Sequence, residues 1–194
     1  MRKLTMLNNL TLDGVMQAPG RAEEDTRHGF AAGGWAQSYA DNVLGEYLGQ
    51  GMSTPHELVL GRRTWQDFAS FWTTQTDNPF TDLLNNLTKY VASRTLHEPL
   101  AWANSKLLDG DAVQAVAELR AQDGPDLLCM GSGNLLQGLM GAGLVDEYTL
   151  LLHPLVLGQG SRMFTESLPQ MNFNLEEAIT TSTGVIIAVY RPEL

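Results

Sequence analysis

The chain of 194 residues contains one cysteine, Cys129, so an internal disulfide is excluded. No run of residues approaches the roughly 20 apolar positions that a membrane span needs. The basic pair Arg2 and Lys3 is not followed by the long apolar stretch of a secretory signal. Basic residues are scarce as well: 12 Lys and Arg stand against 22 Asp and Glu, a formal charge of −10. That balance removes the basic face on which non-specific nucleic-acid binding depends. A few placed arginines can still dominate the field around a small anion. His28, His56 and His97 stand in polar surroundings without metal-ligand spacing, and no metal site is expected. Internal repeats and low-complexity segments are missing too. These absences point to a soluble, cytoplasmic protein that meets a small molecule rather than nucleic acid or a membrane, and the length suits one domain covering residues 1–194.

What is present is an alternation of apolar runs and amphipathic stretches. Strands are expected at 2–12, 57–60, 89–93, 126–130 and 147–153, with a weaker one at 101–103. Helices are expected at 41–50, 64–71, 111–122 and 135–142, with a helical turn at 81–86. Asp41 stands where it can cap the first of them. Two strand candidates, 172–179 and 184–191, finish the chain without a helix between them. Strands alternating with helices and then strands alone describe an α/β fold with an antiparallel C-terminal end. Residues 18–34, rich in glycine and charge, form a long loop, and long loops in compact domains are often functional.

Three segments share one design, an apolar strand that runs into small, polar or cationic residues. They are Leu60-Gly61-Arg62-Arg63-Thr64, Val91-Ala92-Ser93-Arg94-Thr95 and Cys129-Met130-Gly131-Ser132-Gly133-Asn134-Leu135. In open α/β sheets, ligands bind beyond the carboxyl ends of the strands. Backbone N–H groups at a helix start point at an anion, and arginine forks match its oxygens. Gly131 and Gly133 would let backbone approach a pyrophosphate, while Arg62, Arg63 and Arg94 could hold a 2′-phosphate, favouring NADPH over NADH. Gly131-Ser132-Gly133 lacks the third glycine of the dinucleotide fingerprint and falls late in the chain. Each segment alone is also compatible with tight packing or a solvated helix start. A hydrolase is excluded, because the nucleophile elbow requires Gly-x-Ser-x-Gly.

At these motifs the chain resembles the dihydrofolate-reductase-like superfamily, and within it the C-terminal reductase domain of the bacterial riboflavin-biosynthesis protein RibD. Thr11-Leu12-Asp13-Gly14 resembles the family's turn after the first strand, and Gly61-Arg62-Arg63-Thr64-Trp65 its cofactor motif. Ser93-Arg94 matches the adenosine-side strand end, and Gly131-Ser132-Gly133 the pyrophosphate turn. Gly143-Leu144-Val145-Asp146-Glu147, followed by the segment from His153 to Gly160, is similar to the most specific signature of this branch. Gly33-Gly34-Trp35 resembles a feature of its small stand-alone members.

The resemblance implies a central mixed β-sheet flanked by helices, an NADPH cofactor, and hydride transfer to a small, heterocyclic or carbonyl-like substrate. It places Thr64 on the pyrophosphate side and Arg63 and Arg94 at the 2′-phosphate. The glycine turn receives the pyrophosphate with Asn134 and Leu135 at the helix start, and the nicotinamide lies near Thr11, Asp13 and Gly14. It implies a homodimer. The loop at 18–34 would close over the substrate.

The substrate half is less defined. Asp13 reads either as a catalytic group or as the cap of an Asp-Gly turn. Asp41 reads as an acid or an N-cap, and Trp35 and Tyr47 as substrate-pocket walls or core. Cys129 reads as buried and inert, and His153 as structural. A reductase of unknown substrate has two alternatives. One is a non-catalytic NADP(H)-binding module, and the other is the pyrimidine reductase of riboflavin synthesis itself.

Overall fold

A computed structural model describes residues 1–193. Its strands are β1 (Leu4–Thr11), β2 (His56–Gly61), β3 (Lys89–Ala92), β4 (Ser105–Leu107), β5 (Asp126–Met130), β6 (Glu147–His153), β7 (Phe173–Thr180) and β8 (Ile186–Pro192). Its helices are α1 (Asn42–Ser53), α2 (Arg62–Trp72), α3 (Pro79–Asn86), α4 (Ala112–Ala121) and α5 (Gly133–Gly141). The strands hydrogen-bond in the order β4-β3-β2-β5-β1-β6-β8-β7, a mixed sheet. The chain divides into two compact units. The first comprises Met1–Thr5 and Pro55–Val145, and the second comprises Met6–Thr54 and the chain from Asp146 onward.

In the first unit β2 pairs in parallel with both β3 and β5, and β3 with β4. Parallel strands are covered on both faces, so they read as unbroken apolar runs rather than alternating ones. Leu58, Val59 and Leu60 are accordingly all fully buried. Asp111 caps α4 by accepting from the N–H groups of Val113 and Gln114, both at 3.0 Å. Val116 and Leu119 supply the buried face of α4, and Leu136, Leu139 and Met140 that of α5. Gly143, at φ +65°, ends α5, with the Gly143 and Leu144 N–H groups turning back to the carbonyls of Met140 and Leu139. Cys129 is buried, and burial pushes its thiol up to about 12, so it stays protonated.

The expected strand at 101–103 does not form. The Ala103 carbonyl accepts from the Lys89 ammonium and Trp102 is buried by its own hydrogen bond to Asn85. Asn104 then turns through φ +58°, so β4 begins only at Ser105.

In the second unit β8 lies between β6 and β7 and pairs antiparallel with both. Leu44 of α1 packs with Leu151, Val185 and Ile187, with Tyr47 and Leu48 against the same cluster. Helix α1 runs three residues beyond the expected 41–50. The glycines at its end only weaken a helix, whereas Pro55 forces the preceding Thr54 into extended backbone (ψ 134°) and stops it. A register shift between Leu175 and Glu177 interrupts β7, and bulges with charged residues are common devices for blunting an edge strand.

Candidate active site

The parallel register sets the strand ends of the first unit. Gly61 stands opposite Ala92 on β3, and β2 is also paired with β5 up to Val59 opposite Cys129. The three segments singled out in the sequence therefore leave the sheet side by side. Helices α2 and α5 start directly there, and neither N-cap residue, Gly61 or Ser132, makes a side-chain cap. The first-turn N–H groups of both helices, at Arg62–Thr64 and Gly133–Leu135, thus carry the partial positive charge of two helix ends without a protein cap.

Ser132 builds this place rather than offering a contact of its own. Its N–H donates to Thr64 Oγ1 at 2.9 Å, its hydroxyl donates to the Met130 carbonyl at 2.9 Å, and its Oγ accepts from the Gly61 N–H at 2.9 Å. Gly131 and Ser132 are consecutively left-handed, at φ +57° and +53°. For serine that backbone costs roughly 1–2 kcal/mol, which the three hydrogen bonds offset. The N–H groups of Ser132 and Gly61 are both spent inside the turn. Thr64 accepts from Ser132 and keeps its own hydroxyl proton to donate.

The cations differ in availability. Arg62 Nη1 is held by Gln66 Oε1 at 3.0 Å, one helical turn on. Arg63 and Arg94 are exposed, and among the described residues their guanidiniums have no partner. Ser93 accepts from the N–H groups of Thr95 and Leu96 at 3.1 and 3.0 Å, a serine turn that leads the chain into and past Arg94.

The close approach at Gly131 is testable. A Cβ there would stand 3.0 Å from Thr64 Cγ2 and Oγ1, in a left-handed backbone. Gly131→Ala is expected to lower stability by about 2–3 kcal/mol, from backbone strain and loss of the Thr64 to Ser132 hydrogen bond. Urea unfolding of the variant measures it, and a loss under about 0.5 kcal/mol would refute the tight-turn account.

In the second unit, Thr11, Asp13 and Gly14 form the turn after β1. Gly14, at φ +77°, closes it by donating to the Thr11 carbonyl at 2.9 Å. Thr11 is buried, donates its hydroxyl to Asp13 Oδ1 at 2.6 Å, and accepts from the Val15 N–H. Asp13 also accepts from the N–H groups of Leu157 and Gly158, and Arg162 lies beside it. The Thr11 hydroxyl and these N–H groups hold its carboxyl down at about 2. Asp41 caps α1 through the Leu44 N–H at 2.8 Å and accepts from the N–H and hydroxyl of Ser182 at 2.6 Å. The Ser182 hydroxyl leads in keeping that carboxyl below its usual range. Both carboxyls are ionised at neutral pH and latch the chain locally, Asp13 across the turn after β1 and Asp41 as the N-cap of α1.

Trp35 and Tyr47 are also placed. Trp35 belongs to the buried cluster of Val15, Ala18 and Phe30, and its indole N–H donates to the Gln17 carbonyl at 2.7 Å. It is core rather than an open pocket wall. Tyr47 is half-buried on α1 against the Leu44 cluster, and burial raises its phenol. The loop at 18–34 is not an open flap. Gly34 and Ala36 donate to the carbonyls of Ala18 and Pro19 at 2.8 and 3.0 Å, and Glu24 accepts from the N–H groups of Gly20 and Arg21. It is a self-packed Ω-type loop. Gln17 belongs to no motif in the sequence, and its role as a rivet of this region exists only in the fold. Among the described residues there is no group of three or more metal-ligating side chains, and no helix long and apolar enough to cross a membrane.

An eight-stranded mixed sheet with five flanking helices, and adjoining strand ends beside two helix starts without side-chain caps, defines a dihydrofolate-reductase-like α/β protein. The family model of the RibD C-terminal domain matches residues 2–187, and the chain belongs to that family. It is 28% identical over 138 residues to the uncharacterized protein YyaP of Bacillus subtilis (strain 168), covering 69% of this chain and 72% of that one. A putative riboflavin biosynthesis protein from Shewanella sp. PV-4 has the same fold, with a TM-score of 0.69, 21% identity and full coverage of both chains. A pyrimidine reductase-like protein from Corynebacterium diphtheriae has it too, with a TM-score of 0.68 and 11% identity, covering 100% of this chain and 92% of that one.

Proposed function

We propose that this protein is an NADPH-dependent reductase of a small, heterocyclic substrate. The observation that carries the reading is the pair of uncapped helix N-termini at adjoining strand ends, with Arg63 and Arg94 unpartnered beside them. The residues fit a dinucleotide phosphate. The first-turn N–H groups of Gly133, Asn134 and Leu135 and the Thr64 hydroxyl would receive the pyrophosphate. Arg63 and Arg94 would hold the 2′-phosphate. The close packing of Gly131 against Thr64 keeps the turn low enough for backbone to meet the ligand. When bound, NADPH supplies the hydride, and the chain supplies binding and orientation. Membership of the RibD C-terminal domain family supports a reductase-like role.

The test is a titration of NADPH and NADH followed by cofactor fluorescence. Selective binding of NADPH is expected, and Arg63→Ala should weaken NADPH by about 1–3 kcal/mol while leaving NADH nearly unchanged. Equal weakening of both would remove the 2′-phosphate role. Binding of neither would overturn the reading.

A second reading, a module that holds NADP(H) without turnover, is favoured by one observation. Asp13 and Asp41 are both held ionised and hydrogen-bonded, so neither provides an acidic proton. NADPH oxidation across a substrate panel that includes ribosylated aminopyrimidines separates the two. Turnover supports the reductase, and tight binding without turnover supports the module.

A further inference from the structure

The second unit contains a half-open cleft of about 260 Å³ that the cofactor reading does not use. The loop after β1 and the loop after β6 form its walls. Gln17 rivets them together: its amide N–H groups donate to the carbonyls of Asp25 and Arg27 at 3.0 and 3.1 Å, and its Oε1 accepts from the N–H and hydroxyl of Ser161 at 2.9 and 3.1 Å. That carboxamide is fully spent, so the walls are in place before any ligand arrives. Gly160, at φ +111°, lets them close, because a Cβ there would strike Val15 and the Phe30 ring at 2.7 and 2.8 Å.

Three lining side chains remain unused. Asp25 takes the Nε and Nη2 of Arg27, leaving Nη1 without a protein partner among the described residues. The His28 imidazole and the Gln159 carboxamide, both on exposed residues at the cleft's open side, likewise have none among the described residues. His28 is also strained, at φ +59° and ψ 25°, a backbone that glycine adopts freely. Strain of this kind persists where the surroundings impose it, and it concentrates at ligand clamps.

We propose that this cleft binds a small aromatic carboxylate. The Arg27 fork arm and the His28 imidazole suit a carboxylate, Gln159 reads a polar edge, and the Phe30 ring backs a flat apolar body. Because Asp25 already balances Arg27, the site suits a monoanion better than the dianion of a phosphate ester. The volume falls just below the roughly 300 Å³ at which pockets for larger ligands begin, so the ligand is close to benzoate in size.

The probe is benzoate, titrated into the isotopically labelled full chain and followed by side-chain NMR, with benzamide and inorganic phosphate as comparisons. Saturable shifts of the His28 and Gln159 resonances are expected with benzoate, and affinities about tenfold weaker with the other two. His28→Gly removes the imidazole and relieves the strain, so it should keep or raise Tm while weakening benzoate by about tenfold. No saturation up to about 50 mM benzoate, equal binding of benzamide, or unchanged affinity in His28→Gly would each overturn the proposal. The NADPH titration is read separately, so failure here leaves the cofactor reading standing, and the reverse.

Discussion

Replacing Lys89 with methionine is expected to destabilise the protein by about 3–5 kcal/mol, although the substitution keeps the apolar stem. Lys89 opens β3 and is completely buried. Among the described residues no carboxylate pairs with its ammonium. Instead it donates to the carbonyls of Asn85, Leu87 and Ala103 at 3.1, 2.7 and 3.0 Å, and lies 4.3 Å from the centre of the Trp102 ring. Two of these carbonyls lie at the C-terminal end of α3, where a positive charge also meets the helix dipole. Burial pulls the pKa down to about 8, still above neutral, so the group is charged at pH 7. Removing it takes the ammonium donor from all three carbonyls, of which, among the described residues, only that of Asn85 has a second side-chain donor, in Asn104 Nδ2. The urea midpoint of Lys89→Met measures the cost, and a loss below about 1 kcal/mol would show that the carbonyls rehydrate freely.

Stability is expected to fall by about 3 kcal/mol between pH 6.5 and pH 4 because of one side chain, His153. Its ring is fully buried, edge-on to Trp35 and Tyr39 at 5.1 and 5.4 Å between centroids. Nε2 pairs with Asn9 Oδ1 at 2.8 Å, while Nδ1 has no hydrogen-bond partner among the described residues. A second proton would therefore sit on Nδ1 with nothing to accept it. Burial drives the pKa from 6.5 to about 4. Between those values the unfolded chain binds the proton and the folded one does not, so acid favours unfolding and the stabilisation is lost as pH falls through the window. Asp13, held at about 2, extends the loss to lower pH in the same direction. Thermal melts from pH 7 to pH 4 should show a steep fall in Tm for the parent chain and a flatter profile for His153→Gln. An equally steep profile in that variant would place the transition elsewhere.

The strand ends were legible because parallel strands are buried on both faces. Leu58-Val59-Leu60 and Leu127-Leu128-Cys129 read as apolar runs, and each gives way to small or polar residues because a helix must start there. Capping was equally local, as Asp41 and Asp111 show. The roles of the long-range polar groups were not local. Nothing in the sequence marks a partner for Arg2, yet it is buried against the Glu57 carboxylate and the Pro125 carbonyl. That Asp13 ties its turn to Leu157 and Gly158, far along the chain, shows only in the fold.

By itself, the sequence determined the α/β alternation with its antiparallel C-terminal end, the helix starts beside the apolar strands, and the exclusion of an internal disulfide. These arise from periodicity, capping and composition, which act over a few residues. Only the tertiary structure decided which cations stay free, that Ser132 is spent inside its own turn, that Trp35 is core, and that residues 18–34 are folded upon themselves. Each of those depends on hydrogen-bond partners brought together by chain reversal, and a polar side chain carries no local mark of which distant carbonyl or N–H it will meet.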